Sequence, residues 1–139
     1  MISNRSIPNV VVIPELAYRD VSEAAAWLCA AFGFRERLRI ANHRIQLSVG
    51  SSGAVVAIEF ESATDQPADR AHAVLVRSED VDQHHAKAKA FGARIIRSPE
   101  SYPFGERQYT VEDIGGHVWT FSQSIADVDP ASWGGIAVT

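Results

Sequence analysis

Few side chains in this sequence combine a reactive group with an unusual setting. Glu59 is the polar exception in the apolar run Ala54-Val55-Val56-Ala57-Ile58-Glu59-Phe60, and His72 opens a later short apolar stretch. A second group lies within residues 102–109. There Tyr102, Phe104 and Tyr109 offer flat faces that could stack on a ligand, and Arg107 offers a charge for an anion. The same residues could equally anchor a loop, with Arg107 paired to Glu106 or Glu112. His117 falls on the opposite strand face from Thr120 by alternation, which makes it a packing or turn residue. Cys29 is the only cysteine and sits in an apolar helical run, so it reads as a small buried hydrophobe and excludes a cysteine-based zinc site. Gly115-Gly116 reads as a hairpin turn and not a phosphate cradle, and no serine occupies a nucleophile-elbow sequence.

The elements that must position these residues are written twice. Asp20-Val21 opens an alanine-rich run that closes on Phe32-Gly33, and Asp80-Val81 opens a second that closes on Phe91-Gly92. Asp20 with Glu23, and Asp80 with Gln83, form loose capping boxes, and the glycines stop the helices. The first unit is expected as a strand over Val10–Tyr18, with Pro14 marking an edge or irregularity, then the helix. Strands at Arg35–Ile40, Arg44–Val49 and Ala54–Phe60 follow, turning at Ala41-Asn42 and Ser51-Ser52-Gly53. Residues 61–70 read as a linker. The second unit repeats the order: a strand at Ala71–Arg77, the helix, then strands at Arg94–Arg97, Gln108–Glu112 and His117–Ser122, with a long loop over Ser98–Glu106. Val81, His85 (or His84), Ala88 and Phe91 form the inner stripe of the second helix, and Lys87 and Lys89 face outward. His84 and His85 carry no chemistry in this reading and are placed on the helix surface. Trp27, Trp119, Phe32 and Phe91 read as core.

Composition narrows the classes. With 139 residues, 46% of them hydrophobic, the chain supports one core, and the two units read as halves of a single domain. A net charge of −4 and the lack of a basic tract argue against nucleic acid as a partner. No apolar stretch has the length of a signal peptide or a membrane span, so the expectation is a cytoplasmic protein with no membrane partner. The body of the first helix, Ala24–Phe32, holds no charged residue. Its Ala24–Ala31 surface is therefore expected to meet the C-terminal tail or a second subunit, most simply in a homodimer.

A tandem βαβββ repeat with these markers resembles the vicinal oxygen chelate superfamily, which includes glyoxalase I, extradiol dioxygenases and bleomycin-resistance proteins. The likeness rests on Tyr18-Arg19-Asp20 before the first helix and Ala31-Phe32-Gly33-Phe34 after it. It rests also on Tyr102-Pro103-Phe104-Gly105-Glu106-Arg107 and on Asp113-Ile114-Gly115-Gly116-His117-Val118-Trp119-Thr120-Phe121. The resemblance implies an α+β fold, tandem βαβββ modules forming a curled mixed sheet around a cleft with the helices outside. Module one spans about residues 8–62, module two about 71–124, and the tail 125–139. In metal-dependent members the first and last strand of each module supply ligands to a divalent ion. Aligned on Asp20 and Asp80, those positions fall on Ile13, Glu59, His72 and Thr120, with Glu15 two residues along the first strand as a substitute. The repeat agrees, because Ile13 to His72 is 59 positions and Glu59 to Thr120 is 61, close to the 59 from Phe32 to Phe91, so that Thr120 reads as the counterpart of Glu59.

Isoleucine cannot ligate a metal and threonine is a poor neutral ligand, so Glu59 and His72 alone would hold a divalent ion weakly. Side by side in such a cleft, these two could pair or act as a general base, with mutual satisfaction the simpler reading. The cleft is expected to draw on Ile13, Glu15, Glu59, His72, Tyr102, Phe104, Arg107, Tyr109, Val118 and Thr120. The expected function is binding of a small organic molecule with no required cofactor, in the manner of a resistance or sequestering protein. A metal-dependent lyase or dioxygenase using Glu59 and His72 is the alternative, and a dimerisation or docking domain is a third.

Overall fold

The computed structural model describes residues 2–60 and 72–137. The linker expected over residues 61–70, and the start of the strand expected from Ala71, lie outside the described residues. The chain divides into two compact units, Met1–Asp69 with Ile114–His117, and Arg70–Asp113 with Val118–Thr139. Among the described residues each unit carries one α-helix and a four-stranded mixed sheet, so the chain is α+β with the βαβββ order repeated.

In the first unit the order is β1 (Glu15–Tyr18), α1 (Val21–Phe32), β2 (Arg35–Ile40), β3 (Arg44–Val49) and β4 (Gly53–Glu59). The sheet runs β1-β4-β3-β2, with β1 parallel to β4 and the other pairs antiparallel. The helix starts where the Asp20 carboxylate accepts the Glu23 amide at 2.9 Å. It ends at Gly33, whose φ of +78° turns its N–H back to the Cys29 carbonyl. Leu16 and Tyr18 on β1, Ile45 and Leu47 on β3, and Val55 and Ala57 on β4 share one sheet face and are buried, as are Val21, Ala25 and Leu28 of α1. His117 closes this core from the edge: its Nε2 lies 2.8 Å from the Ala17 carbonyl oxygen and its ring meets Tyr18 edge-on. Gly115 beside it cannot be replaced without movement, since an added Cβ would stand 2.4 Å from the Tyr18 ring.

The first strand is shorter than the expected Val10–Tyr18. Pro14 still offers its carbonyl to the Val56 amide at 2.9 Å, but residues before it bend away, and Val11 is 95% exposed. Ahead of that bend the chain turns back onto β2 and β3. Arg37 donates to the Arg5 and Ile7 carbonyls, and Gln46 donates to the Ser6 carbonyl.

The second unit has β5 (Val74–Arg77), α2 (Val81–Ala90), β6 (Arg94–Ser101), β7 (Glu106–Glu112) and β8 (Val118–Ser124), then a 3-10 turn at Pro130–Trp133. Its sheet repeats the topology as β5-β8-β7-β6. Asp80 caps α2 through the Gln83 amide at 3.1 Å. The core is aromatic: Trp119, Tyr109 and Phe121 are fully buried with Val81, Ala88 and Val111. Burial of each large apolar side chain contributes roughly 1.5–3 kcal/mol. The Trp119 indole donates to the Asp113 carboxylate at 2.9 Å.

Three expectations need correction here. His84 is not a surface residue: its ring lies 3.9 Å from that of Phe121 and its Nδ1 is 2.6 Å from the Tyr109 hydroxyl. Phe91 is half exposed because the helix ends at Ala90 and the ring falls beyond its last turn. The long loop expected over Ser98–Glu106 is mostly strand, with β6 continuing to Ser101 before a tight turn. Pro99 is tolerated there because β6 is an edge strand whose register shifts on either side of Arg97.

Candidate functional site

Strand alternation in the second unit separates two faces. Tyr109, Val111, Trp119 and Phe121 pair on the face against α2, since His84 of that helix touches Tyr109 and Phe121. Glu106, Gln108, Thr110, Thr120, Ser122 and Ser124 pair on the other, and Leu75 and Arg77 of β5 join them through Thr120 and Ser122. This open face is a hydrogen-bonded polar ladder. Ser122 donates to the Glu106 carboxylate at 2.7 Å and accepts from the Gln108 amide at 3.0 Å. Arg77 donates to the Ser124 hydroxyl at 3.0 Å, and the Thr110 and Thr120 hydroxyls meet at 3.1 Å.

The electrostatics follow from those bonds. Hydrogen bonds from Ser124 and then Ser122, with the Arg77 charge nearby, hold the Glu106 carboxyl below its ordinary value. A carboxylate so stabilised is a weak base. The arrangement is suited to reading the donors and acceptors of a bound molecule. On the opposite face, burial pushes the Tyr109 hydroxyl up and out of any physiological titration.

Of the residues expected at the cleft, Thr120 and Val118 lie on this open face. Tyr109 does not: it is buried against the helix. Arg107 shares Tyr109's face and pairs with Asp82 of α2 at 3.0 Å, so its charge is already engaged. Tyr102 and Phe104 stack on each other at the β6–β7 turn, ring centroids 5.3 Å apart. In the first unit, Glu15 and Val56 pair on the face away from Tyr18, and Glu15 forms an ion pair with Arg44 at 2.8 Å. Glu59 pairs with Tyr18, which puts it on the face that carries Leu16 and Ala57, not the face of Glu15. Ile13 precedes β1, and His72 precedes β5 and is exposed.

The register also revises the repeat. Thr120 pairs with Leu75, and the matching pair in the first unit is Val56 with Glu15. Thr120 is therefore the counterpart of Val56 and not of Glu59, because the longer β6–β7 hairpin shifts every later position. At the paired open-face positions of first and last strands, the residues are Glu15 with Val56 and Ala17 with Ile58 in one unit, and Leu75 with Thr120 and Arg77 with Ser122 in the other. Taken unit by unit, neither set holds more than one carboxylate or imidazole donor, and that one, Glu15, is bonded to an arginine, so neither set by itself fits a divalent metal. Among the described residues no three His, Cys, Asp or Glu side chains gather as a metal-holding group.

The residues that sequence reasoning missed are Arg77, Glu106, Gln108, Thr110, Ser122 and Ser124. Their signal was available: Glu106, Gln108, Thr110 and Glu112 alternate with Arg107, Tyr109 and Val111, and Thr120, Ser122 and Ser124 alternate with Phe121 and Gln123.

Comparison with known proteins agrees with the fold. Residues 8–121 match the model of the glyoxalase/bleomycin resistance protein/dioxygenase superfamily. No curated protein matches. Among solved structures, TioX from Micromonospora sp. ML1 is 33% identical, with 81% of this chain and 97% of that one covered and a TM-score of 0.68. A glyoxalase/bleomycin resistance protein/dioxygenase family enzyme from Burkholderia phytofirmans PsJN is 18% identical over 81% of this chain and 96% of its own, with a TM-score of 0.69. A glyoxalase/bleomycin resistance protein/dioxygenase from Nocardioides is 15% identical over 99% of this chain and 93% of its own, with a TM-score of 0.69. At these lower identities the likeness is one of fold. No helix among the described residues is long and apolar enough to cross a membrane.

Proposed function

Because this chain belongs to the glyoxalase/bleomycin resistance protein/dioxygenase superfamily, we propose that it binds a small organic molecule on the open face of its second sheet and does so without a resident divalent metal. The observation that carries the reading is the residue set at the paired open-face positions of each unit taken by itself, Glu15 with Val56 and Ala17 with Ile58 in the first, Leu75 with Thr120 and Arg77 with Ser122 in the second. Where a metal-dependent relative needs several ionisable donors, this chain has apolar groups, a threonine bonded to a threonine, and a carboxylate bonded to an arginine. The polar ladder beside Thr120 supports binding by hydrogen bonds. Sequestration or resistance follows from such binding with no bond broken. The rival, a lyase- or dioxygenase-like reaction through Glu59 and His72, is disfavoured by the register that sets Glu59 beside Tyr18.

The test is a thermal-shift screen of the full chain against antibiotics, aromatic metabolites and divalent metals, with and without chelator. The expected result is an upward shift with an organic compound that chelator leaves unchanged and that Thr120→Val abolishes. A shift that appears only with a divalent metal, and disappears with chelator, would overturn the proposal.

A further inference from the structure

The second unit also contains an open surface cavity of about 550 Å³ beside the polar ladder, largely exposed to solvent and lined by Phe104, Glu106, Ser124, Ala126, Asp127 and Val128. Its size is in the range that takes a small ligand. Its wall is assembled by specific contacts. The tail after β8 is clasped to the β6–β7 turn, where Gly105 accepts from the Ile125 amide at 2.8 Å and from the Ala126 amide at 3.3 Å. Only glycine fits at that point, because φ is +87° and an added Cβ would lie 2.5 Å from the Ala126 carbonyl oxygen. The Phe104 ring is braced by Tyr102 at 5.3 Å, nearly parallel, and by Trp133 at 5.4 Å. An aromatic face is thus held in place beside two carboxylates.

We propose that this cavity is a binding site for a flat organic cation, an arylamidinium or arylammonium, with its ring against Phe104 and its charge facing Glu106 and Asp127. The lining has two acids and no base. Glu106 is fixed as the anion by the Ser124 and Ser122 hydroxyls. Arg77 does not line the cavity, but its guanidinium, bonded to the Ser124 hydroxyl, keeps its positive charge near Glu106, so Asp127 supplies the larger share of the attraction for a cation. A neutral ring would gain only the contact with Phe104, whereas a cation gains the carboxylates and the ring's negative face as well. An anion is repelled. Glu106 is the one charged lining side chain shared with the polar ladder, and a cation can bind here whether or not the ladder holds a ligand.

A matched series of fragments tests this: benzamidine as the cation, benzamide as its neutral isostere and benzoate as the anion, each titrated into the full chain and followed by amide NMR shifts. For a ligand of this size, benzamidine is expected to bind with about millimolar affinity and to move the amides of Phe104, Ser124, Asp127 and Val128. Benzamide is expected to bind roughly tenfold more weakly, the worth of one charge-assisted hydrogen bond, and benzoate not at all. Asp127→Asn should weaken benzamidine several-fold and leave benzamide unchanged, and added salt should act in the same direction. Equal binding of benzamidine and benzamide overturns the proposal, as does a benzamidine response centred elsewhere or none. Shifts confined to Thr110 and Thr120 would report the open face of the sheet, so the two readings can fail separately.

Discussion

Replacing Ser122 with alanine removes the hub of the polar ladder while leaving the fold's packing intact. The side chain is buried, donates to Glu106 at 2.7 Å and accepts from Gln108 at 3.0 Å. The bond to the carboxylate is charge-assisted but partly open to water, and the Gln108 amide can rehydrate. Each therefore contributes near the low end of its class, and the sum is about 1–2 kcal/mol. For a chain of this length that corresponds to a fall in Tm of roughly 3–8 °C. The loss should depend on pH with a definite sign. Glu106 has a folded pKa below its ordinary value of 4.5, so its bonds contribute fully above that value and fade as pH falls through the folded pKa. Urea unfolding of wild type and Ser122→Ala at neutral pH and below the folded pKa of Glu106 measures this. The difference between the two proteins should be full at neutral pH and smaller in acid. A difference below about 0.5 kcal/mol, within the scatter of ordinary surface changes, or one that does not shrink in acid, would refute the ladder.

Other consequences are independent of Glu106. Asp20→Ala and Asp80→Ala each remove a helix N-cap and should lower stability by about 1 kcal/mol in urea unfolding, with additive effects since the caps lie in separate units. Gly115→Ala should cost more than either, at least about 2 kcal/mol, because the Tyr18 ring cannot yield 1 Å or more without disturbing its own contacts (the approach is 2.4 Å). Along α1, Ala26 is exposed and the neighbouring Trp27, Cys29 and Ala30 are only partly covered. A second copy of the chain covering this helix predicts a dimer in sedimentation, converted to monomer by Ala26→Glu; a wild-type monomer contradicts it.

Much of the scaffold was legible because local chemistry fixed it. Both capping aspartates bond the amide three residues on, and Gly33 and Gly92 take the positive φ that ends a helix. The strands after the first helix fall where alternation and turn residues put them. The misses have physical causes. Val10–Ile13 has strand-forming residues, but strand identity is decided by pairing, and the ladder with β4 begins at Glu15, with the Pro14 carbonyl its first acceptor. Pro99 reads as loop, yet an edge strand with shifted register absorbs a missing N–H, whereas Pro103 does lie in the turn that follows. His84 looked like a surface residue because α2 has a weak apolar stripe, and Tyr109 supplies a hydroxyl that no periodicity reveals. The site suffered most, since a shift in one hairpin changes which residues of the two units correspond. Glu59 was matched to Thr120 by a spacing that the β6–β7 hairpin does not preserve.

The central claim, a ligand-binding member of its superfamily without a divalent metal centre, is tested most directly by the metal content of protein purified without chelator. The residues at the paired strand positions predict zinc, nickel, iron and manganese each far below one ion per chain. A near-stoichiometric amount of any of them would contradict the account.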